Sequence, residues 1–123
     1  MKEMLEAAKA AKGEVAGLTT EQKNAALNAM ADALIVRQDA ILDANGLDMA
    51  SAKAHISPVM LDRLKLTKER IAGMARGIRE VTALPDPVGR ILQTHTREDG
   101  LEIQKVSVPM GVIAIIYESR PNV

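Results

Sequence analysis

VPMGVIAIIYESRPNV, residues 108–123, is the most informative stretch of this chain. Val112, Ile113, Ile115 and Ile116 make an apolar, β-branched run broken only by Ala114. A run of that length and kind reads as a strand buried on both faces, as in a parallel α/β sheet. Gly111 in front of it permits a tight turn. Pro121 interrupts regular structure behind it, and Tyr117, Glu118, Ser119 and Arg120 fall at the strand's carboxyl end. Ligands of open α/β sheets bind at the carboxyl ends of strands, so this polar cluster sits where a binding site is expected. A two-sided apolar strand cannot bury itself; it needs parallel neighbours and covering helices. No other stretch supplies them, so the expectation is the front part of a longer protein, or a subunit completed by another chain.

The sequence before this run is helical first and then changes period. Leu5, Ala8, Ala11, Val15 and Leu18 recur at spacings of three and four, which predicts a helix over 3–16 with Gly17 as its stop. Thr19 and Gln22 fit a capping box at the head of a second helix carrying Leu27, Met30, Ala31, Leu34 and Ile35. A joint is expected at 37–39, and a further helix to Lys53 that Asn45-Gly46 could break. Ser57-Pro58 announces a short helix with Met60, Leu61 and Leu64. Thr67 opens the next, with Ile71, Met74, Ala75, Ile78 and Val81 on one stripe, and Pro85-Asp86-Pro87 closes it. From residue 91 to 96 and again through Leu101, Ile103 and Val106 the pattern becomes that of a β-hairpin turning at Glu98-Asp99-Gly100.

Composition excludes several function classes. The chain has 123 residues, enough for one modest domain, with 16 basic and 16 acidic side chains and no net charge. That balance gives no electrostatic reason to expect nucleic acid or an anionic membrane. Tyr117 is the one aromatic residue, so there is no base-stacking platform. With no cysteine there is no disulfide, thiolate metal site or thiol nucleophile. His55 and His95 have no partners at metal-ligand spacing, so no metal is expected. No run is apolar and long enough to span a bilayer, and the expectation is a soluble, cytoplasmic protein.

The residues Ala44-Asn45 with Asp48, Met60-Leu61-Asp62-Arg63-Leu64 followed by Leu66-Thr67, LPDPVG at 84–89, and above all 108–123 together carry a resemblance. The chain resembles the N-terminal part of the γ-glutamyl phosphate reductases (glutamate-5-semialdehyde dehydrogenases) of the aldehyde dehydrogenase superfamily. Ordinary aldehyde dehydrogenases have a related Pro-x-Gly-Val strand but follow it with a Trp-Asn-Phe-Pro-like turn; here the turn is Tyr117-Glu118-Ser119-Arg120-Pro121-Asn122. The resemblance implies an aldehyde dehydrogenase-like α/β fold. Residues 1–87 would be the helical part of the dinucleotide-binding domain, 88–108 the β-hairpin of an oligomerisation arm, and 109–123 the first strand of the dinucleotide-binding core, truncated. It implies NADPH-dependent reduction of γ-glutamyl phosphate to glutamate 5-semialdehyde with release of phosphate, a step of proline synthesis from glutamate. It also implies a homo-oligomer and an association with glutamate 5-kinase. The family's cysteine thiolate, which would displace phosphate and give a thioester able to accept hydride, is absent here, so the chain alone is expected to be inactive.

Site residues follow from the same resemblance. Arg120 is the first candidate, a guanidinium for the substrate's phosphate or carboxylate, or else a structural partner of Glu118. Asn122 would offer an amide to a developing oxyanion, or else simply form the turn beside Pro121. Ile116, Tyr117 and Glu118 would line the NADP cofactor, chiefly through backbone. Ser119 lacks the surroundings of a nucleophile. Lys65, Lys68, Glu69 and Arg70 read as a solvated face, and Met30, Met60 and Met74 as core filler. Two other readings stand beside this one: a non-catalytic helical module that docks on an intact reductase, and a dehydrogenase branch acting on a free aldehyde.

Overall fold

The computed structural model describes residues 2–117 and 120–122. Along the chain lie five helices, α1 (Lys2–Ala16), α2 (Thr20–Val36), α3 (Gln38–Ala52), α4 (Pro58–Leu64) and α5 (Lys68–Thr82). Two strands follow, β1 (Ile91–Thr96) and β2 (Glu102–Val106). The helices start and stop where the sequence places them. α4 begins with the Ser57 hydroxyl accepting the Met60 N–H, with Pro58 in its first turn. α5 begins with the Thr67 hydroxyl accepting the Arg70 N–H at 3.1 Å. The joint after α2 is the single residue Arg37, and α3 runs straight through Asn45-Gly46.

The chain divides into two compact units. One comprises residues 1–20 and 85–114, the other 21–84 and 115–123. In the first, β1 and β2 pair antiparallel, with His95 opposite Ile103 and an irregularity between Ile91 and Gln93. Gly100 turns the hairpin at φ +86°, a region open to glycine. Ser107 closes the hairpin's base: its N–H donates to Arg90 O and its hydroxyl accepts from Arg90 N–H, each at 3.0 Å. Asp86 receives the Thr20 hydroxyl at 3.0 Å and the Val88 N–H at 2.9 Å, which fixes the Pro85-Asp86-Pro87 corner. Every residue of both strands is exposed, as is the stripe of α1.

The second unit holds the core. Ala31 of α2, Leu66, and Ile71 and Ala75 of α5 are its buried apolar residues. Asn45 is the buried polar residue among those described, 6% exposed, and both ends of its amide are used. Nδ2 donates to Leu64 O at 2.9 Å, and Oδ1 accepts the Leu66 N–H at 2.7 Å. One side chain of α3 therefore grips the chain on both sides of Lys65, where α4 ends. A residue read from sequence as a helix breaker is the clamp of the α4–α5 corner. Its polar atoms are satisfied by that corner, so they do not compete with the helix backbone. Asn24 Nδ2 to Thr82 O (3.2 Å) and an Asp32–Arg79 ion pair tie α2 to α5. Met30, expected in the core, is 57% exposed on α2.

Residues 112–117 form no strand in this chain. Exposure runs from 47% at Val112 to 98% at Ile116. A strand is made by its neighbours' hydrogen bonds, and the described residues provide this segment with none, so an apolar run of strand composition stays unpaired. Gly111, at φ +88°, makes the turn expected before it.

Two outcomes follow. Asn45→Ala should destabilise the chain by about 1–3 kcal/mol in urea unfolding, because the buried Leu66 N–H loses its partner; better helix propensity recovers only about 0.6 kcal/mol. Asn45→Asp keeps an acceptor but not the donor, and should cost at least as much at neutral pH. In amide exchange, the Leu66 N–H should be protected while those of 112–116 exchange as in an unstructured peptide; protection across that segment in the monomer would contradict the fold described.

Candidate functional site

The Asn45 clamp fixes a corner, and a second residue finishes it. Arg70, one turn into α5, donates through Nη1 to the carbonyls of Asp62 and of Lys65, the latter at 2.5 Å. Its Nη2 lies 3.2 Å from both carboxylate oxygens of Asp62. The guanidinium thus neutralises Asp62 and occupies carbonyls left free at the C-terminal end of α4. The pair is half in water, so its charge attraction adds on the order of 1 kcal/mol or less. Its value is geometric, since it sets the direction in which α4 hands over to α5.

Beside this corner, within the second unit, lies a cleft of about 820 Å³. Leu34, Leu66, Met74, Ile78 and Val81 make its apolar wall. Gly73 and Gly77 lie one helical turn apart on α5 and leave the wall open, because a Cβ at either would meet no atom within 4 Å. The rim is charged: Asp62, Arg63, Lys65, Arg70 and Arg120 line it, with the amide of Asn122. The two substrate candidates from sequence, Arg120 and Asn122, are therefore brought to one cavity, although they stand far along the chain from its other lining residues.

Two of the three cofactor candidates are not brought there. Ile116 and Tyr117 are exposed and do not line the cleft, and Glu118 lies outside the described residues, as does Ser119. Residues 112–117 present unpaired, exposed backbone. The sequence has no Gly-x-Gly-x-x-Gly loop to cradle a pyrophosphate. These residues do not on their own fit a dinucleotide. No cluster of metal-ligating side chains occurs among the described residues. Nor, among them, is any helix long and apolar enough to cross a membrane.

Lys65 and Arg70, read from sequence as a solvated face, are exposed. Together with Arg63, which the sequence did not single out as a site residue, they also line the cleft. The stripe of α5 divides: Ile71 and Ala75 enter the core, while Met74, Ile78 and Val81 face the cleft. Lys68 does behave as a surface charge, 3.4 Å from Asp39. Glu69 has its carboxyl pulled below the ordinary value, first by its own backbone N–H and then by the Thr67 hydroxyl, with a smaller pull from Lys68.

Helices followed by a hairpin and an unpaired apolar segment match the opening region of an aldehyde dehydrogenase-like α/β protein. The solved structures are specific about which. The crystal structure of γ-glutamyl phosphate reductase from Thermotoga maritima matches 94% of this chain with a TM-score of 0.89 at 40% identity, over 28% of its own length. That from Saccharomyces cerevisiae matches 94% with a TM-score of 0.87 at 35% identity, over 30% of its length. γ-Glutamyl phosphate reductases from Streptococcus pneumoniae strains, among them D39 and R6, are 58% identical over 121 residues, 98% of this chain. The chain spans 29% of the length of those relatives and resembles their N-terminal part. No protein-family model matches it.

The Thr67–Glu69 arrangement has a pH consequence. A carboxyl with a lowered folded pKa stabilises the fold above its ordinary range, and that contribution is lost as pH falls through the folded value. The Glu69 carboxyl should titrate by NMR below a glutamate in an unstructured peptide. Thr67→Ala should move its midpoint upward and cost about 1 kcal/mol through the lost cap; an unmoved midpoint would remove Thr67 as a cause.

Proposed function

We propose that this chain is the N-terminal segment of a γ-glutamyl phosphate reductase. The complete protein would use NADPH to reduce γ-glutamyl phosphate to glutamate 5-semialdehyde, releasing phosphate. The observation that carries this is 58% identity over 98% of the chain, joined to a matching backbone in two solved reductases. The cofactor would supply the hydride. The residues in hand would bind and orient substrate: Arg120 as a guanidinium for an oxyanion, and Asn122 as an amide donor beside it. Both line the cleft, which supports a shared ligand. Ile116, Tyr117 and Glu118 would form one edge of the nicotinamide site once neighbouring strands pair with 112–117. The nucleophile is not among these residues, since the chain has no cysteine.

Residues 1–87 would then belong to the dinucleotide-binding domain, 88–108 to an oligomerisation arm and 109–123 to the cofactor sheet. The uncovered apolar side chains of the hairpin, Ile91, Leu92, Ile103 and Val106, support the arm. They equally favour a second reading, in which the chain docks on an intact reductase without catalysing anything. Size-exclusion chromatography with and without the full enzyme separates the two readings, a monomer that binds nothing removing the second.

The full-length parent should reduce NADP when given glutamate 5-semialdehyde and inorganic phosphate, the reverse reaction. The 123-residue chain should show no turnover under the same conditions. A parent with no phosphate-dependent NADP reduction would overturn the proposed activity.

A further inference from the structure

Charge is unevenly distributed in this neutral protein. Away from the cleft, Lys2 pairs with Glu6, Lys68 with Asp39, Arg79 with Asp32 and Arg97 with Asp99. Lys9, Lys12, Arg37, Lys53, Arg76, Arg90 and Lys105 have no ion-pair partner among the described residues. What sets the cleft apart is that several cations line one cavity. On the cleft, Arg70 is spent on Asp62. The other three cleft cations, Arg63, Lys65 and Arg120, have no ion-pair partner among the described residues. Asp62 is the carboxylate on the rim, and it is already neutralised. The cavity is within the range of roughly 300–1,000 Å³ usual for small-molecule sites, with one apolar wall and a few polar groups.

Resting on the reductase reading, we infer that Arg63 and Lys65 are substrate-binding residues that share with Arg120 the task of holding oxyanions. The ligand class is a short aliphatic chain bearing more than one anionic oxygen group. Its methylenes would lie along Met74, Ile78 and Val81, over the open backbone of Gly73 and Gly77. Arg63 and Lys65 flank the point gripped by Asn45 and Arg70, so the two cations are delivered from a braced corner. A substrate with a carboxylate at one end and an acyl phosphate at the other would satisfy both sides of the rim. Either oxyanion is chemically suited to Arg63 and Lys65, and the experiment separates them.

The test uses the full-length parent and the reverse reaction, varying glutamate 5-semialdehyde and inorganic phosphate in turn. Arg63→Gln and Lys65→Gln should each raise one KM by roughly 3- to 10-fold, with kcat and melting temperature little changed, as expected for a half-solvated charge-assisted contact. A rise in the phosphate KM assigns the phosphoryl end, and a rise in the semialdehyde KM the carboxylate end. Arg63→Lys should recover part of the loss. Lys68→Gln, which removes a cation paired with Asp39, should leave both constants unchanged. If the parent turns over but both variants keep wild-type KM values, or lose only melting temperature, the rim is a packing surface and the inference fails. Should the parent not turn over, the reductase reading fails instead. Titrating this chain with inorganic phosphate and with glutamate, followed by NMR at the Arg63 and Lys65 amides, then decides: saturable shifts lost in the Gln variants sustain an oxyanion site, and their absence overturns it.

Discussion

The amide of Asn45 is the contact on which the second unit is arranged. A buried amide that used only one end would cost more than it contributed. Here its carbonyl takes the Leu66 N–H and its NH₂ gives to Leu64 O, so the three residues that end α4 and lead to α5 are fixed relative to α3. Leu66 is then buried, and Ile71 and Ala75 of α5 follow it into a small core. So little apolar area is buried that a directional contact matters more here than in a large domain, where packing alone orients helices. Arg70 works on the same corner from the other side, through carbonyls of α4 and the Asp62 carboxylate.

Most of this architecture was legible because it rests on local chemistry. Caps such as Ser57 and Thr67, the Pro85-Asp86-Pro87 stop and the Gly100 turn act within a few residues, and their sequences name them. Asn45 was misread for the complementary reason. Beside Gly46 it looks like a helix breaker, and only a partner 19 to 21 positions away turns its side chain into a clamp. That Arg63 and Lys65 line a cleft was not legible for a like reason: an exposed cation looks the same in sequence whether it faces bulk water or a cavity. Arg120 and Asn122 stood out through the turn they occupy, yet nothing local to them indicates α5 as the opposite wall.

The run at 112–117 illustrates a different limit. Its composition describes the environment it suits, a sheet interior, while its conformation depends on strands the described residues do not provide. β-Branched residues favour a pleated, half-buried surface and do not create one. The chain spans 29% of the length of the reductases it resembles, and the same apolar residues that would suit a sheet interior are here 47% to 98% exposed. If extended as a strand, such a segment would present unpaired edges on both sides, the feature that soluble proteins cover or charge to avoid association.

Net charge, finally, says little about a site when both signs are present in equal number. Sixteen cations and sixteen anions cancel over the chain, and the long-range field that would steer a large polyanion is absent. Recognition of a small anion depends instead on what lies within a few ångströms, where pairing decides whether a cation is available. The Asp62–Arg70 pair is instructive, because it places a carboxylate on the rim without making the rim acidic. Removing Arg70 would therefore do two things at once: loosen the α4–α5 corner and release a negative charge beside Arg63 and Lys65. The corner and the electrostatics of the cleft are coupled through that one guanidinium, so a side chain with a structural position also sets the charge that the cleft presents.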